Sequence, residues 1–228
     1  MKRYYVFKIN LTLLNVLNIV LLGVCSLFTW LVFPDMFKKM FSMFDDMHTV
    51  LLFLPLMVFY LAFHEILHAI GYIVHGANPK KITFGMEMEK SVFYCLCKDE
   101  VKKKTILFSL MYPLFFIGIV TYVIGIIFKL PMLLLLSIIN IGGAIGDIMY
   151  FIFIVGLDKD IMYSEMDDGT SFALISKEDL SKRKPLGLDF VGIKSEIPRK
   201  DFKRVYISKG SYAILIFALL LLVAALFV

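Results

Sequence analysis

Charged residues are scarce in this 228-residue chain, at 19%, where a soluble domain carries about 25%. Cysteine is scarcer still: Cys25 lies inside an apolar block, Cys95 and Cys97 in a basic loop. An odd count without framework spacing gives no support to a disulfide scaffold. Hydrophobic residues make up 60% of the chain, and mean hydropathy is +0.83. That excess is too large for one water-soluble core, so it excludes an ordinary cytoplasmic enzyme and a disordered chain. The apolar residues cluster in long blocks, as in an integral membrane protein. A net charge of +5 invites a nucleic-acid partner. The basic residues, however, lie in loops between the blocks, where membrane topology accounts for them. The expected partner is the lipid bilayer, with no nucleic acid.

Five blocks reach the roughly 20 residues that a spanning helix needs. They are 9–33, 49–74, 105–128, 130–155 and 211–228. The first is longer than the roughly 7–15 apolar residues of a cleavable signal and reads as a retained span. Lys and Arg, counted by loop, put twenty-one on the N-terminal side and three on the other. The positive-inside rule then predicts the N-terminus in and the C-terminus out. The expected fold is an all-α polytopic membrane protein of five transmembrane helices, forming one membrane domain over 1–228. It carries small strand-containing cytoplasmic loops at 75–104 and 156–210. In the first, partial alternation over 81–89 and 91–101 predicts a hairpin. In the second, 161–166 and 171–175 flank an Asp168-Gly169 turn. Ser176–Asp179 reads as the start of a short helix. The Asp158, Asp160, Glu165, Asp167 and Asp168 cluster lacks calcium-loop spacing and reads as turn and solvent-exposed surface.

The informative stretch is His64-Glu65-Ile66-Leu67-His68. Residues four apart share a helix face, so both imidazoles can reach one metal ion, and neutral imidazole suits zinc. Glu65 lies beside the metal, where it can take and later deliver a proton. With four His and seven Glu in the chain, random placement would give about 0.002 occurrences of this pattern. Ionisable groups at mid-membrane cost about 2.5–3.5 kcal/mol each on insertion scales, so three in five residues need a compensating partner. Asp147, alone charged in its block, is a candidate third ligand. At 1.5 Å per residue, His68 lies about 9 Å deep, His64 about 15 Å and Asp147 about 12 Å, all at one level. Gly142 and Gly146 form a small-xxx-small pair for close helix approach. Asn140, two turns before Asp147, reads either as a substrate-binding amide or as a satisfied buried one. His75 reads as interfacial, His48 as remote from the site, and Cys95 and Cys97 as packing.

On His64-Glu65-x-x-His68 and the later Asn140…Asp147, the chain resembles the zincin peptidase family of small bacterial membrane proteins, related to site-2 intramembrane metalloproteases. The resemblance covers roughly 51–175. It implies zinc held by His64, His68 and Asp147, with Glu65 as general acid/base. No proline separates Asn140 from Asp147, and Ile148 follows the Asp where that pattern has glycine. The expected protein is a zinc metallopeptidase of the bacterial cytoplasmic membrane, acting on a peptide or membrane-protein segment. Two alternatives stay open: a zinc-binding regulatory protein without hydrolysis, and a transporter whose His and Asp line an ion path.

Overall fold

The computed structural model describes residues 2–87, 92–166, 169–197, 205–207, 216, 220 and 221. The chain enters as a strand, β1 (Tyr4–Ile9), rich in the aromatic and β-branched residues that suit a pleated surface. Asn10 then caps α1 (Leu11–Val32), its side chain accepting from the Leu13 N–H at 3.1 Å. A short helix, α2 (Pro34–Ser42), buries Met36 and Met40 against Leu134 and Ile138. Asp46 caps the long α3 (Met47–Val74).

Two strands follow, β2 (Ile82–Glu87) and β3 (Val92–Cys97), paired antiparallel as a hairpin. After β4 (Val101–Lys102) comes a continuous helical stretch, α4 (Lys103–Pro113), a π-helical turn over Leu114–Val120, and α5 (Thr121–Ile127). The chain reverses at Lys129 into α6 (Pro131–Gly143) and α7 (Ile145–Val155). The last strands are β5 (Met162–Glu165), β6 (Ser171–Ile175), β7 (Leu188–Lys194) and β8 (Val205–Ile207).

These strands correct the all-α five-span expectation. An antiparallel sheet of order β4-β5-β6-β1-β7 gathers the N-terminus, the segment before α4 and the segment after α7. A second sheet has the order β3-β2-β8. Among the described residues, three unbroken helices are long and apolar enough to cross a membrane: Leu11–Val32, Met47–Val74 and Lys103–Ile127. The block expected over 130–155 is instead a pair of helices bent by 45°. The span expected over 211–228 lies outside the described residues but for three positions.

The sheet was hidden because β1 is buried on both faces. Tyr5 and Phe7 join the main core, and Tyr4 and Val6 pack with Ala173 on the other side. A strand covered on both faces shows no alternation. The short helix expected at Ser176–Asp179 is replaced by side-chain turns. Ser176 Oγ accepts from the Glu178 N–H and Asp179 Oδ1 from the Ser181 N–H, each at 3.0 Å.

The bent pair runs back along the α4–α5 stretch. Its start follows the Lys129 turn, where the Leu130 N–H donates to Gly125 O at 2.9 Å. At its end, Lys103 Nζ, in the first turn of α4, donates to the carbonyls of Val155 and Leu157. Both sheets therefore stand at the end of the helices opposite Lys129.

Candidate metal centre

On α3 the residues Leu67, His68, Ala69, Gly71 and Tyr72 are buried, whereas Phe63, Ile66, Ile70 and Ile73 are exposed. This is a single inward stripe at helical period, and it turns both motif histidines to the interior. His64 Nε2 lies 3.1 Å from His68 Nε2. Asp147 Oδ2, on the first turn of α7, lies 3.2 Å from the former and 3.4 Å from the latter. Ligands at 2.0–2.1 Å from a tetrahedral zinc stand about 3.3–3.4 Å apart, so this triangle has the size of one face of that tetrahedron. A Glu65 carboxylate oxygen and one nitrogen from each ring lie within 4.8 Å of one another.

The remaining ring nitrogens decide which way the lone pairs point. His68 Nδ1 lies 2.9 Å from the Ser109 carbonyl, which can only accept, so the ring proton is on Nδ1. His64 Nδ1 lies 2.7 Å from Asn140 Oδ1. The amide is oriented by its other end, Nδ2 donating to Pro113 O at 3.3 Å. Both Nε2 atoms therefore aim acceptor lone pairs at each other and at an acceptor carboxylate. Three acceptors converging in a half-buried place repel one another unless a cation lies among them. The donor set and its outer hydrogen bonds fit zinc.

The local backbone builds these contacts. At Gly71 a Cβ would stand 2.6 Å from Ser109 Cα, so α3 and α4 touch backbone to backbone. Ser109 Oγ returns a bond to His68 O at 2.9 Å. The π-helical turn sits beside Asn140, and its wide geometry leaves carbonyls to side chains. Pro113 O receives Asn140, and Ile117 O receives Tyr60 at 2.5 Å and Thr121 at 2.6 Å. Gly118 makes room for the amide, since a Cβ there would stand 3.3 Å from Asn140 Nδ2. Asn140 is 2% exposed.

No proline breaks the helix before Asp147. The break falls at Ala144, just after Gly142 and Gly143. A Cβ on Gly142 would meet Leu22 of α1 at 2.5 Å, while Gly146 makes only ordinary contact with Leu14. The glycine pair therefore admits α1, not α3. Asp147 reaches the histidines through the 45° bend instead.

The site opens into a cavity of about 370 Å³. Its walls include Asn15 and Asn18 of α1, Phe93–Leu96 of β3, and Glu165 of β5 beside His64, Glu65, His68 and Asp147. Glu165 was expected on the solvent-exposed surface. Its Oε1 accepts from Tyr72 at 2.8 Å and from Tyr163 at 3.4 Å, and Oε2 accepts from the Cys97 N–H. Burial pushes its carboxyl up to about 7, against the opposing pull of the Tyr72 and Cys97 hydrogen bonds. The sequence signal for it was slight: one acid in a four-residue strand, two residues after Tyr163. Asp167 and Asp168 of the same cluster lie outside the described residues. His75 stands apart, its ring stacked on Phe108 at 4.1 Å, and His48 is exposed at the start of α3. Cys95 and Cys97 are buried thiols of β3.

Residues 56–162 match the family described as "Putative zincin peptidase". The matched stretch holds His64, Glu65, His68, Asn140 and Asp147, and it is similar to zincins without reference to site-2 proteases. No curated protein and no solved structure matches the chain.

Proposed function

We propose that the protein is a zinc metallopeptidase embedded in the bacterial cytoplasmic membrane as a multi-pass protein. The convergence of His64 Nε2, His68 Nε2 and Asp147 Oδ2 with Glu65 alongside carries this reading. His64, His68 and Asp147 would hold the ion. When bound, zinc supplies Lewis acidity that polarises a scissile carbonyl and acidifies water. Glu65 takes the proton from the attacking water and hands it to the leaving amine nitrogen, so one carboxylate serves as base and then acid. Asn140 and Ser109 act as positioning residues that hold the rings in the ligating tautomer. That role replaces the reading of Asn140 as a substrate contact, because both ends of its amide are already engaged.

The substrate in this reading is an extended peptide or an unwound membrane segment, since a helix hides its carbonyls in its own hydrogen bonds. β3 is an edge strand of its sheet and lines the cavity. The Cys97 N–H points away from β2, toward Glu165. By strand alternation, the backbone groups of Cys95 and Phe93 point the same way, where a substrate strand can pair.

The test is elemental mass spectrometry of protein purified in detergent. Wild type is expected to hold about one zinc per chain, and folded His68→Ala and Asp147→Ala variants little. Glu65→Gln is expected to keep zinc and abolish cleavage. A zinc-free, folded wild type would sink the proposal in favour of an ion path. A cellular effect that survives Glu65→Gln would favour the regulatory alternative.

A further inference from the structure

Resting on the peptidase reading, we propose that Asn15 and Asn18 of α1 form the substrate-binding wall opposite β3, hydrogen-bonding the main chain of an extended peptide. Three residues apart, they share one helix face, and both line the cavity that holds His64, Glu65 and Asp147. Their helix is otherwise an apolar span, where a polar side chain needs a partner. Thr29 of the same helix has its partners: Cys25 O at 2.8 Å and Tyr122 Oη at 2.9 Å. Asn18 Oδ1 is buried and has no hydrogen-bond partner among the described residues. A buried acceptor left unmade is costly to the fold, and a turn of the Asn18 amide into the adjoining cavity brings that oxygen to a donor that arrives with a ligand.

Gly142 packs under Asn18, and a Cβ at that position would stand 3.0 Å from Asn18 Oδ1. Any side chain at 142 would push the amide aside.

The chemistry of the donor follows from the enclosure. An extended strand turns its N–H and C=O groups alternately to its two edges. With one edge on β3, the other faces α1 and must be satisfied away from water. A carboxamide offers both an acceptor and a donor to a peptide group. Being neutral, it does not compete with the cation or with Glu65. Such a wall reads main chain rather than side chains, so the site would be tolerant of substrate sequence.

Zinc-loaded full-length protein in detergent is titrated calorimetrically with two hydroxamates. Acetohydroxamate is a chelator without a peptide; leucyl-leucine hydroxamate adds a main chain. Asn18→Leu is expected to keep zinc and acetohydroxamate binding and to melt no lower than wild type. It should lose about tenfold or more in affinity for the peptide hydroxamate. Asn15→Leu, at an exposed position, is the second variant and should show the same selective loss. Peptide-hydroxamate affinity within about twofold of wild type in both variants would overturn the proposal. So would equal losses for the two probes, or a lowered melting point with loss of zinc, since either marks a structural role. A wild type that holds no zinc before any probe is added overturns the peptidase reading itself.

Discussion

At the scale of single residues, the chemistry of His64 and His68 depends on what their second nitrogens touch. Asn140 is the more exposed to test, because its side chain and not a backbone group supplies the contact to His64. Asn140→Ala is expected to weaken zinc binding by about 10–100-fold. Competition against a chromophoric chelator measures this. Glu165 offers a second test, through pH. Burial raises its folded carboxyl to about 7 from an ordinary 4.5, so the folded state holds the proton more tightly. Its contribution to stability is full below about 4.5 and is lost as the pH rises toward 7. The melting temperature in detergent should therefore fall across that window in wild type and fall less in Glu165→Gln. Identical slopes would mean that the carboxyl titrates normally.

At the scale of elements, the decisive contact is the crossing of α3 and α4 at Gly71 and Ser109. Both bonds between His68 and Ser109 need the two backbones within van der Waals reach. A side chain at 71 would meet backbone, not a movable side-chain tip. Gly71→Val is expected to cost about 1–3 kcal/mol as overpacking and to lower zinc content, whereas Gly143→Ala, which meets nothing within 4 Å, should do neither. Thermal melts and metal analysis of the pair check this. The π-helical turn and the break at Ala144 matter in the same way. One exposes Pro113 O to Asn140, and the other aims Asp147 across at α3.

At the scale of the molecule, both sheets gather at one end of the helices. The α4–α5 stretch is 25 residues long, about 38 Å at 1.5 Å per residue, and places Lys129 at the far end. In a chain whose three cysteines are changed to alanine, single cysteines at Lys2, Glu178 and Lys194 should react with an impermeant maleimide from one side of the membrane only. A cysteine at Lys129 should react from the other side. Mixed labelling among the first three would contradict the sheet, because β1 lies hydrogen-bonded between β6 and β7.

What could be read from the sequence was whatever depends on local period. The spacing of His64, Glu65 and His68 determines a shared helix face wherever that helix sits, and the three apolar helices follow from composition alone. Asp147 was legible because a lone charge in an apolar block needs a partner at its own depth. The hairpin over β2 and β3 showed in the alternation of its residues. β1 did not, because burial on both faces erases alternation. Neither did Glu165, which is engaged by Tyr72 and Cys97, residues far from it in the chain. The contacts of Asn140, Gly71 and Asn18 are equally non-local. Each depends on which backbone or cavity stands opposite, and only the packing of α1, α3, α4 and the bent α6–α7 pair decides that.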